Sequence, residues 1–130
     1  MPVRPGSRIV VLENLTNDVI EIKVDKDGYI DAASISVPSG GTKEFPAAKF
    51  SKEYKISLTP LILKVYKGEN WTGRTLRPSD FTSHVKIIFR DLPEERLSIR
   101  GIEVRPTDLG RFSFLGSLGR DYSGRLEIEL

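Results

Sequence analysis

Cysteine is absent from this chain, and histidine, methionine and tryptophan occur once each. A chain without cysteine forms no disulfide and offers no thiolate for a metal site or for nucleophilic catalysis. The single histidine, His84, leaves little room for acid–base catalysis by imidazole. We therefore expect no cofactor, no metal site and no enzymatic activity, so that function must reside in binding surfaces.

Long hydrophobic runs are missing as well. The longest run near the start of the chain is Ile9-Val10-Val11-Leu12, which is too short to span a bilayer or to form the core of a signal peptide. From this we expect a protein without a membrane partner. We expect it to reside in the cytoplasm or within a larger assembly.

Charge of one sign is not in large excess. Twenty basic residues face eighteen acidic ones, for a net charge of +2 over 130 residues. This balance is typical of one soluble globular domain and argues against a general nucleic-acid binder. The arginines are nevertheless concentrated in the second half, residues 66–130. Because a guanidinium group binds phosphate with a planar fork, contact between this half and nucleic acid stays open as a third interpretation.

Alternation of apolar and polar residues dominates what the sequence does contain, and it predicts strands with one buried face. Helix signals are few; residues 46–54 fit either one or two helical turns or a loop that enters a strand, and we favour the strand. About eight or nine short antiparallel strands indicate an all-β fold, a single two-sheet β-sandwich or small barrel over residues 8–130. The candidate strands are 8–13, 20–25, 29–37, 54–59, 61–65, 84–90, 97–104, 111–115 and 125–130.

Turn-forming residues separate these strands. Glycine-containing turns are predicted at 25–28, 38–41 and 116–124. Residues 91–96 predict one short helical turn, with Asp91 as its cap. The apolar residues of 97–104 change phase at Arg100-Gly101, which predicts a β-bulge there.

Two segments lack a strand pattern and are candidates for contact. Residues 1–7 contain two prolines and a glycine, which predict an extended flexible arm, with Pro2, Arg4 and Pro5 as contact residues. Residues 68–83 form the longest such stretch and are predicted to be a loop, a length that often has a function.

The predicted 68–83 loop contains the only tryptophan, Trp71, together with Arg74 and Arg77. Tryptophan and arginine are enriched at the energetic centres of protein interfaces. A tryptophan ring also suits stacking on a sugar ring. The alternative is structural and of equal weight, with Trp71 folded back over the open end of the sandwich.

Two polar clusters contain residue types that carry chemistry elsewhere. Asp25, Asp27 and Asp31 match part of a calcium loop, but the bidentate acid is missing, and a hairpin turn explains them better. Residues 79–84 contain serine, aspartate and histidine, the types of a hydrolase triad. No Gly-x-Ser-x-Gly elbow is present, so a polar segment before a strand is the better interpretation.

The first third of the chain carries a resemblance to known proteins. Residues 9–16 read Ile-Val-Val-Leu-Glu-Asn-Leu-Thr, an alternating strand follows, and residues 35–42 read Ile-Ser-Val-Pro-Ser-Gly-Gly-Thr. This order resembles the opening hairpins of small β-sandwich proteins in phage heads, tails and decorations. It is also similar to immunoglobulin-like modules of other assemblies. The resemblance implies an architectural role, with a component of a virion favoured, and carries no catalytic motif.

These observations favour a non-enzymatic structural protein that binds copies of itself or a larger protein scaffold. The contacts would be the arm, the 68–83 segment and unpaired edge strands, which accept a neighbour's strand. The alternative is a carbohydrate-binding module that uses Trp71 as its stacking platform.

Overall fold

The computed structural model describes residues 8–26, 29–50, 61–105 and 124–130, and at 26 and 29–34 it describes the main chain alone. A short helix, α1 (Pro78–Ser83), precedes the seventh strand, and a 3-10 turn at Pro93–Glu95 joins that strand to the eighth. The strands are β1 (Ile9–Leu15), β2 (Ile20–Lys26), β3 (Tyr29–Val37), β4 (Thr42–Pro46), β5 (Ile62–Lys67), β6 (Asn70–Leu76), β7 (His84–Leu92), β8 (Arg96–Glu103) and β9 (Glu127–Glu129).

These strands form two sheets, one with the order β4-β1-β7-β8-β9 and one with the order β3-β2-β5-β6. One hydrophobic core takes side chains from both sheets, among them Leu12, Phe89 and Ile99 from the first and Ile22 and Leu63 from the second. Burial of each sheet's apolar face against the other is what a β-sandwich requires. The predicted all-β two-sheet fold is therefore confirmed. One pairing differs from the predicted antiparallel arrangement. Strands β1 and β7 pair in parallel, while the other described pairs are antiparallel.

The predicted loop at 68–83 is wrong. Residues Asn70–Leu76 form an edge strand and Pro78–Ser83 a helix. In the edge strand only Leu76 is buried, so no apolar alternation marks it in the sequence. The sequence does not predict β4 for the same reason, since Phe45 is its one buried side chain.

The predicted bulge at Arg100-Gly101 is also wrong. The pairing of β8 is regular from Arg96 to Ile102, and the irregularity lies across from it in β7, at Val85. The apolar phase changes because Ile102 belongs to a second small cluster on the other face of the sheet, with Val85 and Ile88. Simple alternation along 84–90 predicts Val85 on the same face as Ile87 and Phe89, but the structure places Val85 in the second cluster and the other two in the main core.

Helix α1 is held at its C-terminal end by a buried arginine from the start of β1. The Arg8 guanidinium donates hydrogen bonds to the main-chain oxygens of Phe81 at 3.2 Å, Thr82 at 2.6 Å and His84 at 2.9 Å. A cation at this end satisfies carbonyls that lack partners inside the helix. The ring of Phe81 completes the anchor, since it is fully buried in the core.

Several sequence predictions lie outside the described residues. They are the arm at 1–7 with Pro2, Arg4 and Pro5, the strands at 54–59 and 111–115, most of the turn at 116–124, and the side chains of Asp27 and Asp31.

Candidate binding site

Trp71 lies on the outer surface of the four-stranded sheet, close to the start of edge strand β6. Its side chain is 51% exposed, so it does not cover the open end of the core. The residue pairs with Tyr66 of β5, and the Lys64 ammonium lies 4.5 Å from the centroid of the indole ring. The indole N–H donates a weak hydrogen bond to the Arg74 carbonyl at 3.4 Å. Two local contacts thus hold an exposed aromatic ring in one orientation.

A bulge next to Trp71 changes the direction of the residues that follow. Trp71 pairs with Tyr66, but Arg74 pairs with Val65, so Thr72 and Gly73 are additional residues in β6. Gly73 adopts a φ of 80°, which glycine tolerates without strain. The Thr72 hydroxyl fixes the bulge by donating to the Val65 carbonyl at 2.7 Å.

The bulge directs Arg74 inward, where it joins the two sheets. Its guanidinium donates to the main-chain oxygens of Leu97 at 2.8 Å and Leu130 at 2.6 Å. Arg77 is different, because its side chain is exposed and its main-chain N–H donates to the Asp80 carboxylate at 2.7 Å. Trp71 lies opposite Tyr66 and Leu76 lies opposite Leu63, so the bulge shortens the strand and Arg77 is roughly 13 Å from Trp71 along it. Because Arg74 is bound inside the molecule, the structure does not bring all three residues together at one surface.

A surface pocket of about 430 Å³ adjoins Trp71, and we call it the Trp71 pocket. It lies where the β1–β2 loop, the β5–β6 hairpin and the β7–β8 turn meet at one end of the sandwich. Its wall is mostly polar. The lining residues are Asn17, Asp18, Lys67, Asn70, Trp71, Thr72 and Glu95.

The β1–β2 loop is fixed by a fully buried asparagine, Asn14. Its amide nitrogen donates to the main-chain oxygens of Asp18 at 2.8 Å and Val37 at 2.9 Å. Its amide oxygen accepts the Thr16 N–H at 2.9 Å. The side chain thus replaces main-chain partners that the loop cannot supply, and it holds Asn17 and Asp18 toward the pocket.

The β7–β8 turn forms the opposite wall in a strained conformation. Glu94 and Glu95 have φ angles of 64° and 57°, in the left-handed region that residues with a Cβ seldom adopt. Each such residue costs on the order of 1 kcal/mol. Backbone strain of this kind clusters at ligand sites, where surrounding structure holds it in place.

Asp91 links the β1–β2 loop to both sheets rather than capping the turn, which corrects the prediction. Its carboxylate accepts the Lys67 ammonium at 2.6 Å and the Asn17 N–H at 2.9 Å. The hydrogen bond from Lys67, followed in smaller measure by the Asn17 N–H and the charge of Lys67, holds the pKa of Asp91 below its usual value. The cap position of the turn is taken by Leu92.

Acidification is expected to weaken this link. Because the pKa of Asp91 is lower in the folded chain than in the unfolded chain, its ionised form stabilises the fold above about pH 4, and this contribution is lost as pH falls through the folded pKa. Asp91→Asn should lower the free energy of unfolding at pH 7 by less than about 1 kcal/mol, since the pair is partly exposed.

Urea unfolding at pH 7 and at pH 2.5 checks this expectation. The difference between Asp91→Asn and the wild type should disappear at the lower pH, and Glu69→Gln, at an exposed turn residue, serves as the matched control. An equal difference at both pH values would show that the carboxylate charge is not the cause.

The other polar clusters have structural partners. The His84 Nδ1 lies 2.8 Å from the main-chain oxygen of Asp80, whose carboxylate accepts the main-chain N–H of Arg77, so these groups form no catalytic relay. The Asp25 carboxylate pairs with Lys64 at 3.2 Å. Within the described ranges, no group of three potential ligands is placed to hold a metal ion.

One further ion pair bears on the arginine-rich half. Arg90 donates to Glu127 at 2.7 Å, and this bond lowers the pKa of Glu127. Arg74, Arg96 and Arg125 donate to main-chain oxygens, so with Arg90 at least four guanidinium groups of this half are engaged inside the molecule.

No helix in the part of the chain that the structure describes has the length and apolar character needed to cross a bilayer.

Comparison with known proteins identifies no relative. Neither the protein-family models, nor the curated proteins, nor the solved structures contain a match to this chain.

Proposed function

We propose that the protein is a non-enzymatic structural protein that assembles with copies of itself or on a larger protein scaffold, with Trp71 at the centre of the contact. The observation that carries this proposal is the exposed tryptophan, held in one orientation on a rigid sheet. An ordered aromatic side chain loses little conformational entropy when a partner covers it, which is why such residues dominate interface energies.

The contact at β6 is made by side chains rather than by addition of a strand. The Thr72-Gly73 bulge interrupts the outer edge of β6, which pairs with no other described strand, and a bulged edge is a poor template for a neighbouring strand. The outer face of the β5–β6 hairpin instead presents Lys64, Trp71 and Thr75 to a partner. The arm at 1–7 stays a proposed second contact, in keeping with the resemblance to phage-particle modules.

Substitution of Trp71 tests the assembly proposal. Trp71→Ala should leave the circular dichroism spectrum and cooperative unfolding unchanged, because the side chain is not in the core. It should weaken self-association about 30-fold, the effect of removing an interface residue worth about 2 kcal/mol. The measurement is molar mass by light scattering over a range of concentrations.

Leu126→Ala is the matched control for this experiment. Leu126 has a larger exposed fraction, 77%, and lies before β9 of the other sheet, so its removal should not change the mass. A wild-type chain that is monomeric at every concentration would contradict self-association. A Trp71→Ala variant with the wild-type mass curve would remove Trp71 from the contact.

A second candidate function, carbohydrate recognition, is favoured by one specific observation, which is the polar pocket beside Trp71.

A further inference from the structure

We propose that the Trp71 pocket is a binding site for a neutral saccharide. This rests on the second candidate function, carbohydrate recognition, and deepens it by naming the site and the ligand class. It does not depend on the assembly function, because the pocket lies at the end of the sandwich and the assembly surface is the outer face of the β5–β6 hairpin. Trp71 is the one residue that belongs to both.

The aromatic wall of the pocket supplies the apolar part of such a site. A sugar ring has a face of C–H groups that packs on an aromatic ring, while its hydroxyls point outward. Trp71 is half exposed at the pocket's edge and is held by Lys64 and by the Arg74 carbonyl. The ring is therefore in place before a ligand arrives.

The polar wall supplies the hydrogen bonds that hydroxyl groups require. Asn17 and Asn70 carry amides that both donate and accept, and Asp18 and Glu95 carry carboxylates that accept. Across the described ranges, the side chains of Asn17, Asn70 and Glu95 make no hydrogen bond inside the protein. These groups are thus available to adjacent hydroxyls of one sugar ring.

Charge in the pocket selects against an anionic ligand. Asp18 and Glu95 contribute two carboxylates, and Lys67, the one cation among the described lining residues, is already paired with Asp91 at 2.6 Å. Phosphate, sulfate or a nucleic-acid backbone would therefore meet an acidic wall. A neutral sugar has no such penalty, and a volume of about 430 Å³ lies within the range of small-molecule sites.

The walls of the pocket are also fixed before binding. Asn14 holds the loop that carries Asn17 and Asp18, and the strained pair Glu94-Glu95 forms the opposite side. Ordering of these segments occurs on folding rather than on binding, which lowers the entropy that a weakly interacting ligand must overcome.

The experiment is a titration of the full chain with a panel of neutral saccharides: maltose, cellobiose, lactose, mannobiose, diacetylchitobiose and a neutral glycan array. Tryptophan emission reports directly on the site, because Trp71 is the only tryptophan. We expect saturable binding by at least one neutral probe, in the micromolar to millimolar range. Heparin and a single-stranded oligonucleotide are the anionic probes and should not bind in the pocket.

Three variants test the site with calorimetry as the readout, and two of them, Asn70→Ala and Thr75→Arg, separate this proposal from the assembly proposal. Trp71→Ala should abolish saccharide binding, and Asn70→Ala should weaken it at least tenfold while the light-scattering mass stays that of the wild type. Thr75→Arg, on the outer face, should leave the saccharide affinity unchanged.

Three results would overturn the saccharide site. The first is no saturable binding across the whole neutral panel at millimolar concentration, and the second is binding that survives both Trp71→Ala and Asn70→Ala. The third is preference for an anionic probe over every neutral one. None of these outcomes affects the mass measurements on which the assembly proposal depends.

Discussion

Asn14→Ala is expected to lower the free energy of unfolding by about 3 kcal/mol. The side chain is completely buried, and it donates to the main-chain oxygens of Asp18 and Val37 while accepting the N–H of Thr16. Alanine removes these bonds from an enclosed site, and of the three main-chain groups the Asp18 oxygen keeps a partner in the Thr16 hydroxyl at 2.9 Å. Each buried polar group left without a partner costs about 1–3 kcal/mol.

Urea unfolding of three variants measures this effect. Asn14→Asp keeps an oxygen acceptor for Thr16 but loses both donors, so it should also be strongly destabilised. Asn17→Ala is the control, because this asparagine lies in the same loop with an exposed side chain, and its effect should be within about 0.5 kcal/mol. An Asn14→Ala protein as stable as the wild type would contradict the role given to this network.

Gly101→Ala is expected to lower the free energy of unfolding by about 1–3 kcal/mol, the range for an overpacked core. A Cβ at this position would lie 2.5 Å from Cδ2 and 2.9 Å from Cγ of His84. The imidazole cannot easily move aside, since it is buried and its Nδ1 is bonded to the main-chain oxygen of Asp80. The strain therefore falls on the β7–β8 pairing and on helix α1.

A double-mutant cycle isolates this contact. His84→Ala alone should destabilise the chain, because it removes a buried ring. In the His84→Ala background, however, Gly101→Ala should cost at least about 1 kcal/mol less than in the wild type, since the added methyl group then meets open space. Additive effects of the two substitutions would show that the clash with His84 is not the source of the cost.

The sequence predicts the strands that have one buried face. In β2, Ile20, Ile22 and Val24 are all buried and alternate with partly exposed neighbours, so period-two alternation and tertiary burial agree. The edge strands β4 and β6 have no such pattern, because Phe45 and Leu76 are their only buried side chains. A single apolar residue defines no period.

Alternation also fails where a sheet has apolar residues on both faces. In β8, Leu97 and Ile99 face the main core, whereas Ile102 faces the second cluster. The apolar pattern of this regular strand therefore resembles the pattern of a bulged strand. The packing role of Gly101 is likewise invisible in the sequence, because the ring that requires it comes from His84 on the neighbouring strand.

The candidate site is predicted in part. Trp71 stands out as the only tryptophan, but the pocket draws on three segments that are distant along the chain, 17–18, 67–72 and 95. The sequence does hold a local signal for the first of these segments. Asn14 and Thr16 have the spacing of an asparagine that bonds the main chain two residues later, which is typical of a fixed loop rather than a flexible one.

Both proposals require Trp71 to be exposed in the free chain and fixed in place, and the emission of this single tryptophan in dilute solution is the most direct test. We expect the folded protein to emit at long wavelength, to be quenched readily by acrylamide, and to show high anisotropy that reflects tumbling of the whole molecule. A short-wavelength emission protected from acrylamide would place Trp71 in the core and contradict both proposals.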